Sequence, residues 1–279
     1  MRAYITLLST MNYLPGVITL AKSLQQVNAG PPLIVGLSAS LPAEAETLLQ
    51  SKSMQFFRLP SDSPLPPMPG QTQHHWTNTF DKIYFFGLMQ FEKLVYLDSD
   101  MIVLDNIDHL FDKPHMSAVA AGRLVHADWT RLNSGLMVIE PEEGLSSRIA
   151  KMLEPALDRA AKLGSKAIGD QDLINEFYKD WPMQRNLHLD DGYNLFHCYA
   201  DTYINDHGYG LNVNGPPANG PSFKPIHVLH FAGPVKPWTT RAWLRHMLGS
   251  FKPAASLWER KSFAMYRKLL SQSLLQPLS

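Results

Sequence analysis

The chain has 279 residues, 45% of them apolar, enough for a sizeable core and too many for wholesale disorder. Charged residues make up 18%, with 25 bases against 25 acids, so no global field favours nucleic acid as a partner. The single cysteine, Cys198, excludes an internal disulfide framework and fits a reducing, cytoplasmic setting.

No apolar run reaches the roughly 18–20 residues of a membrane helix. Met1 to Leu8 carries one positive charge and too short an apolar stretch for a secretory signal, and reads instead as a first strand from Tyr4 to Leu8. A helix is expected over Leu14 to Val27, a second strand over Leu33 to Leu37, a further helix opened by Pro42, and a third strand over Met54 to Leu59. Pro60 to Gln73 holds five prolines and a glycine and reads as a surface loop.

Phe80, Ile83, Tyr84, Gly87, Leu88 and Phe91 follow helical spacing, with Asp81 and Lys82 off the apolar stripe. Leu94 to Leu97 is a buried strand that runs into Asp98-Ser99-Asp100 and then Met101 to Leu104. Another strand fits Gly135 to Ile139, and helices fit Arg148 to Leu163 and Asp170 to Lys179. Asp206 to Pro225 is a second Gly/Asn/Pro-rich loop, Ile226 to Phe231 a last strand, and helical segments close the chain. Strands alternating with helices, and no internal repeat, point to one α/β domain built on a mostly parallel sheet flanked by helices. From Thr239 onward the bases Arg241, Arg245, Lys252, Arg260, Lys261, Arg267 and Lys268 face one acid, Glu259, so residues 239–279 are expected to form a basic C-terminal helical extension packed on a domain of residues 1–238.

Two stretches can carry chemistry. In an extended backbone residues i and i+2 point to one side, about 6.5–7 Å apart, so Asp98 and Asp100 can share a hard divalent cation at a sheet end. The same triplet at Asp170-Gln171-Asp172 opens a helix, where the two carboxylates diverge. In His230-Phe231-Ala232-Gly233-Pro234-Val235-Lys236-Pro237-Trp238 the imidazole can complete a cation's coordination, and Gly233 and Lys236 suit a phosphate. Unaided, Asn133-Ser134-Gly135 reads as a turn, Gly169-Asp170-Gln171 as a helix start, and Lys82 as a solvated lysine; Tyr193-Asn194 carries no signal of its own.

The order of these pieces resembles the retaining glycosyltransferases of family eight, the group that includes glycogenin and galactinol synthase. The matching stretches are Leu8-Ser9-Thr10 with Tyr13, Phe80-Asp81-Lys82, Tyr96 to Asp100, Asp105 to Asp112, Asn133-Ser134-Gly135, Gly169-Asp170-Gln171, Tyr193-Asn194 and His230 to Trp238. The resemblance implies a GT-A, Rossmann-like nucleotide-sugar-binding fold. It also implies a UDP-sugar donor, Mn²⁺ with Mg²⁺ as a substitute, and α-linked transfer of a hexose or N-acetylhexosamine to a hydroxyl acceptor. It puts the metal on Asp98, Asp100 and His230, with Ser99 between the aspartates. Tyr13 would stack on uracil with Leu8 and Thr10 alongside; Gly233 and Lys236 would hold the diphosphate; Lys82, Asn133, Asp170 and Gln171 would face the sugar.

Two positions depart from glycogenin. Ala167 replaces an aspartate, and Asp201 stands where glycogenin presents the tyrosine it glucosylates, which points to a separate acceptor: a sugar, polyol, glycan or lipid-linked group. Peripheral membrane contact through the basic segment, and a homodimer, are further expectations. The rival readings are a non-catalytic UDP-sugar-binding or scaffold protein of the same fold and a haloacid dehalogenase-type phosphatase, for which Asp190-Asp191 would mimic the later acidic pair.

Overall fold

Alternation along the strands sets the two faces of the central sheet. In β1 (Arg2–Leu8), Ala3, Ile5 and Leu7 enter one apolar cluster while Tyr4 enters another. β4 (Lys93–Leu97) and β7 (Asn133–Ile139) alternate in the same way, Leu94, Tyr96, Met137 and Ile139 against Val95, Leu97, Leu136 and Val138. Strands buried on both faces need helices on both faces, and the chain supplies them. The computed structural model describes residues 1–61, 77–162, 164, 168–211, 223–239 and 256–275. Most of the loops expected at Pro60 to Gln73 and Asp206 to Pro225, together with Ala167, Arg241, Arg245 and Lys252, lies outside the described residues.

With β2 (Leu33–Leu37), β3 (Gln55–Arg58) and β6 (Ala118–Val119), these strands form a six-stranded sheet in the order β3-β2-β1-β4-β7-β6. The β3, β2, β1 and β4 neighbours run parallel, and β7 is antiparallel to β4 and β6. The fold is therefore α/β with a mostly parallel central sheet. A smaller sheet orders β5 (Met101–Val103), β11 (Val228–His230) and β8 (Leu195–Phe196), and β9 (Tyr209–Gly210) pairs with β10 (Lys224–Pro225). Register in the smaller sheet matters most for function: His230 sits opposite Met101, the residue after Asp100, and the Phe231 N–H donates to the Asp100 carbonyl at 2.9 Å. A strand pairing thus closes a gap of more than a hundred residues in sequence.

α1 (Leu14–Gln26) carries Pro15 in its first turn and buries Leu20 and Leu24 against the sheet. Its Gly16 lies so near the turn after β4 that a Cβ there would stand 2.4 Å from the Ser99 carbonyl oxygen, so only glycine lets the helix start beside the aspartates. α2 (Glu44–Ser51) covers β2. The helix expected over Arg148 to Leu163 is two helices, α3 (Leu145–Ala150) and α4 (Leu153–Lys162). Pro155 explains the break, because its ring would clash with the Lys151 carbonyl and it has no N–H to donate there.

The segment around Phe80 is a 3₁₀ helix, Thr77–Gly87, rather than the expected α-helix. Its burial repeats every three residues: Asp81, Tyr84 and Gly87 stay half-exposed while Phe80, Lys82, Ile83, Phe85 and Phe86 are buried. That period carries Lys82 inward, against the solvated position assigned on a 3.6-residue period.

α5 (Asp170–Phe177) and α6 (Ala200–His207) follow, and the last described helix is α7 (Leu257–Leu275). α7 turns Phe263, Tyr266 and Leu269 onto its own core and leaves Lys261 and Lys268 outward. Phe263 and Tyr266 pack edge-on against Phe231, beside the strand that carries His230. Asp201 accepts the Trp258 N–H at 3.1 Å, so the residue aligned with the acceptor tyrosine caps α7. No helix among the described residues is long and apolar enough to cross a membrane.

His197 lies between these layers, stacked on Phe231 at 5.1 Å and tilted against Phe263 at 5.1 Å. Burial pulls its pKa down to about 4. An unfolded chain binds this proton near its ordinary value of about 6.5, so the native state holds fewer protons between those limits. The stabilisation is complete above pH 6.5 and drains away as pH falls towards 4, by up to about 3 kcal/mol from this group alone. Urea unfolding at pH 7 and pH 4.5 is expected to show that loss, with His197→Phe losing distinctly less than the wild type.

Candidate functional site

A cavity of about 540 Å³ opens beyond the C-terminal ends of β1 and β4, the N-terminal end of β7 and the His230 end of β11, a size suited to a small-molecule ligand. Its wall includes Tyr13, Lys82, Asp98, Ser99, Asp100, Asn133, Asp170, Gln171, His230, Gly233 and Lys236. Residues from Leu7 to Lys236 therefore meet at one sheet end. Leu8 and Thr10, the residues expected to line the nucleoside end, do not form the wall; Leu7 and Ser9 do. The pleat is the reason: Leu8 faces the opposite way, into the cluster of Val17, Val35 and Leu37.

Asp98 to Asp100 is a turn between β4 and β5 rather than extended backbone, with the Met101 N–H donating to the Asp98 carbonyl at 3.1 Å. The turn draws the two side chains together, and one ligand atom each from Asp98, Asp100 and His230 lie within 4.8 Å of one another. His230 Nε2 is 3.3 Å from Asp100 Oδ1 and 3.9 Å from Asp98 Oδ2. Two hard carboxylates and one imidazole converging in a mostly buried setting are a donor set suited to a manganese- or magnesium-like cation.

Each carboxylate also has an ammonium beside it. Lys82 Nζ lies 3.0 Å from Asp98 Oδ1 and 2.9 Å from Asp170 Oδ2, with only 4% of the residue exposed. Burial alone would lower its pKa, but Asp170 and Asp98 outweigh burial and hold the ammonium well above its ordinary value. Lys82 is thus a fixed positive charge and not a base. Lys236 Nζ donates to Asp100 Oδ2 and to the Phe231 carbonyl, and its pKa too is raised, by Asp100, in spite of burial. Burial would raise the Asp100 carboxyl, but His230 and Lys236 reverse that and keep it below the usual carboxylate range. It stays ionised, as a cation ligand must.

The far wall is a hydrogen-bonded set. Ser134 Oγ donates to Asp170 Oδ2 at 2.7 Å, and Asn133 Nδ2 donates to Gln171 Oε1 at 2.8 Å. The second acidic triplet diverges as expected of a helix start: Asp170 faces the cavity's lysine, while Asp172 accepts the Gly169 N–H at 3.0 Å and closes the helix end. At the other end Tyr13 stands with Trp238 at 5.7 Å between ring centres, and Lys236 Nζ is 5.7 Å from the Tyr13 ring.

Some contributors were given no role from the sequence. Tyr96, two residues before Asp98 on β4, donates its hydroxyl to Asp98 Oδ1 at 2.6 Å; strand alternation could have placed it on the cavity face. Asn194 touches both Asn133 and His230, and only its place beside Tyr193 in the ordered motifs marked it. Asp190 and Asp191 are not at the site: Asp191 pairs with Arg123 at 2.9 Å, and Asp190 accepts from Gly192 and Tyr209.

A mostly parallel sheet, with paired aspartates at the end of β4 and a histidine from a returning strand, is the arrangement of a GT-A fold. The chain belongs to glycosyl transferase family 8, whose model matches residues 4–131 and 127–242. Its backbone is similar to that of the galactosyltransferase LgtC in complex with donor and acceptor sugar analogs, with a TM-score of 0.60 at 15% identity over 98% of this chain and 96% of that one. Among curated relatives it is 28% identical over 254 residues to inositol phosphorylceramide glucuronosyltransferase 1 of Arabidopsis thaliana, covering 87% of this chain and 43% of that protein. It is 29% identical over 243 residues to glycogenin-1 of Homo sapiens, covering 85% of this chain and 62% of that protein. The chain thus spans less than two thirds of either relative.

Proposed function

We propose that the chain is a retaining, Mn²⁺-dependent transferase that moves a hexose or N-acetylhexosamine from a UDP-sugar to a hydroxyl acceptor in α-linkage. The convergence of Asp98, Asp100 and His230, with Lys236 on one flank and Asp170, Gln171 and Asn133 on the other, carries this reading. A diphosphate leaving group needs positive charge at one end and an electron-deficient sugar needs negative charge at the other.

Asp98, Asp100 and His230 would hold the cation, which supplies Lewis-acid charge neutralisation for the departing diphosphate. Lys236 adds a point charge beside it, and Gly233 leaves backbone room for the phosphates. Tyr13 offers a ring for the uracil. Asp170, pinned by Lys82 and Ser134, keeps a carboxylate facing the anomeric carbon as positive charge develops there. Retention lets the acceptor hydroxyl enter on the face the diphosphate leaves, so that a phosphate oxygen can take its proton. The acceptor is read as a separate sugar, polyol, glycan or lipid-linked molecule, because Asp201 is engaged in capping α7. Residues 1–238 are read as the catalytic domain and 239–279 as its helical extension; the free thiol of Cys198 suits a cytoplasmic setting.

The test is UDP release from a panel of UDP-sugars with Mn²⁺. Asp170→Asn is expected to bind UDP as the wild type does and to turn over about 10²–10³-fold more slowly, the scale of losing one fixed transition-state charge. UDP binding without release from any donor and acceptor would favour a scaffold role instead.

A further inference from the structure

Two backbone donors fix the polarity of a hydrogen-bond chain through the site. The Gly135 N–H can only donate, and it meets Asn133 at 3.0 Å, so that atom is the carbonyl oxygen Oδ1. The Ser134 N–H meets Gln171 at 3.2 Å and identifies Oε1 in the same way. Asn133 therefore turns its nitrogen to Gln171 Oε1, at 2.8 Å. Its oxygen also receives the Asn194 nitrogen at 2.8 Å, which leaves Asn194 Oδ1 facing His230 Nδ1 at 2.9 Å. An amide oxygen only accepts, so Nδ1 carries a proton and Nε2 is the ring nitrogen turned to the two aspartates and left for a cation between them. At the other end the chain leaves the Gln171 amide nitrogen as the group offered to a ligand in the cavity, whose wall Gln171 forms.

We infer that Asn194 is a positioning residue that joins the cation site to the sugar-facing amide, holding the His230 Nδ1–H through its oxygen and bracing Asn133, and through it Gln171, with its nitrogen. This rests on the transferase reading above. Asn194 is 1% exposed and lies behind the cavity wall, so it acts through its neighbours and not on substrate. A Cβ at Gly135 would stand 2.8 Å from His230 Cε1 and 2.9 Å from Asn133 Oδ1, so β7 packs against both residues without room for slack.

The two halves separate by substitution. In Asn194→Asp the introduced carboxylate still accepts from His230 Nδ1–H but has nothing to donate to Asn133 Oδ1. In Asn194→Leu both links go. Titration calorimetry of Mn²⁺ in the presence of UDP is expected to show Asn194→Leu weakened about 10- to 100-fold and Asn194→Asp within about threefold of the wild type. Asn194→Asp is nonetheless expected to release UDP from its best donor about tenfold more slowly, and the Asn194→Asp/Gln171→Ala pair to be no slower than Gln171→Ala by more than about twofold. Thermal unfolding of each variant checks that the fold is kept. Wild-type Mn²⁺ affinity in Asn194→Leu, wild-type turnover in Asn194→Asp, or additive losses in the pair would overturn the relay. A wild-type chain that binds Mn²⁺ and UDP but releases none from any donor counts against the transferase reading, and the Asn194→Leu and Asn194→Asp affinities then decide the relay by themselves.

Discussion

Asp100→Asn is expected to slow UDP release about 10³-fold, since it removes the ligand on which both His230 and Lys236 converge. The isosteric amide keeps the volume but brings no charge. It leaves the Lys236 ammonium, itself largely buried, without its carboxylate. Excess Mn²⁺ should recover only a small part of the loss. Turnover within about threefold of the wild type in chelator-treated protein would remove the cation from the account.

The second large effect is on stability. Lys82→Met is expected to lower unfolding free energy by about 3–5 kcal/mol, because it strands Asp98 and Asp170 without their shared ammonium in a buried site. Methionine fills much of the space, so the loss reports charge and not a cavity. Mn²⁺ with UDP should stabilise this variant more than the wild type, by giving Asp98 back a positive partner. Urea unfolding within about 0.5 kcal/mol of the wild type would show that the pair of carboxylates is not held by this lysine.

The long periodic elements were readable in advance. β2 occupies the five residues of its apolar run, and α1 begins at the leucine where helical spacing starts. What escaped depends on geometry that a single period does not encode. The segment around Phe80 is consistent with either a 3.6- or a 3.0-residue repeat, and only packing selects the second and buries Lys82. Pro155 splits a helix whose apolar pattern runs through the break. β6 and β8, two residues each, are too short to leave a pattern, yet β8 is the strand beside His230.

The site divides along the same line. Asp98, Asp100 and His230 were found by residue type and order, and register in the smaller sheet brings them together. Leu7 and Ser9 line the cavity and Leu8 and Thr10 do not, since alignment carries position but the pleat decides facing. Ser134 and Asn194 are ordinary residues whose roles exist only through partners distant in sequence, and Tyr96 acts through Asp98, two residues further on.

Everything proposed for the chemistry depends on one divalent cation shared by three side chains. Crystals grown with Mn²⁺ and UDP, with data collected at the manganese edge, address this most directly. A single anomalous peak bonded to carboxylate oxygens of Asp98 and Asp100 and to Nε2 of His230, with Lys236 swung from Asp100 towards the diphosphate, is the expected result. A peak elsewhere, or UDP bound with Asp98 still paired to Lys82, Asp100 still paired to Lys236 and no ion between them, would contradict the account.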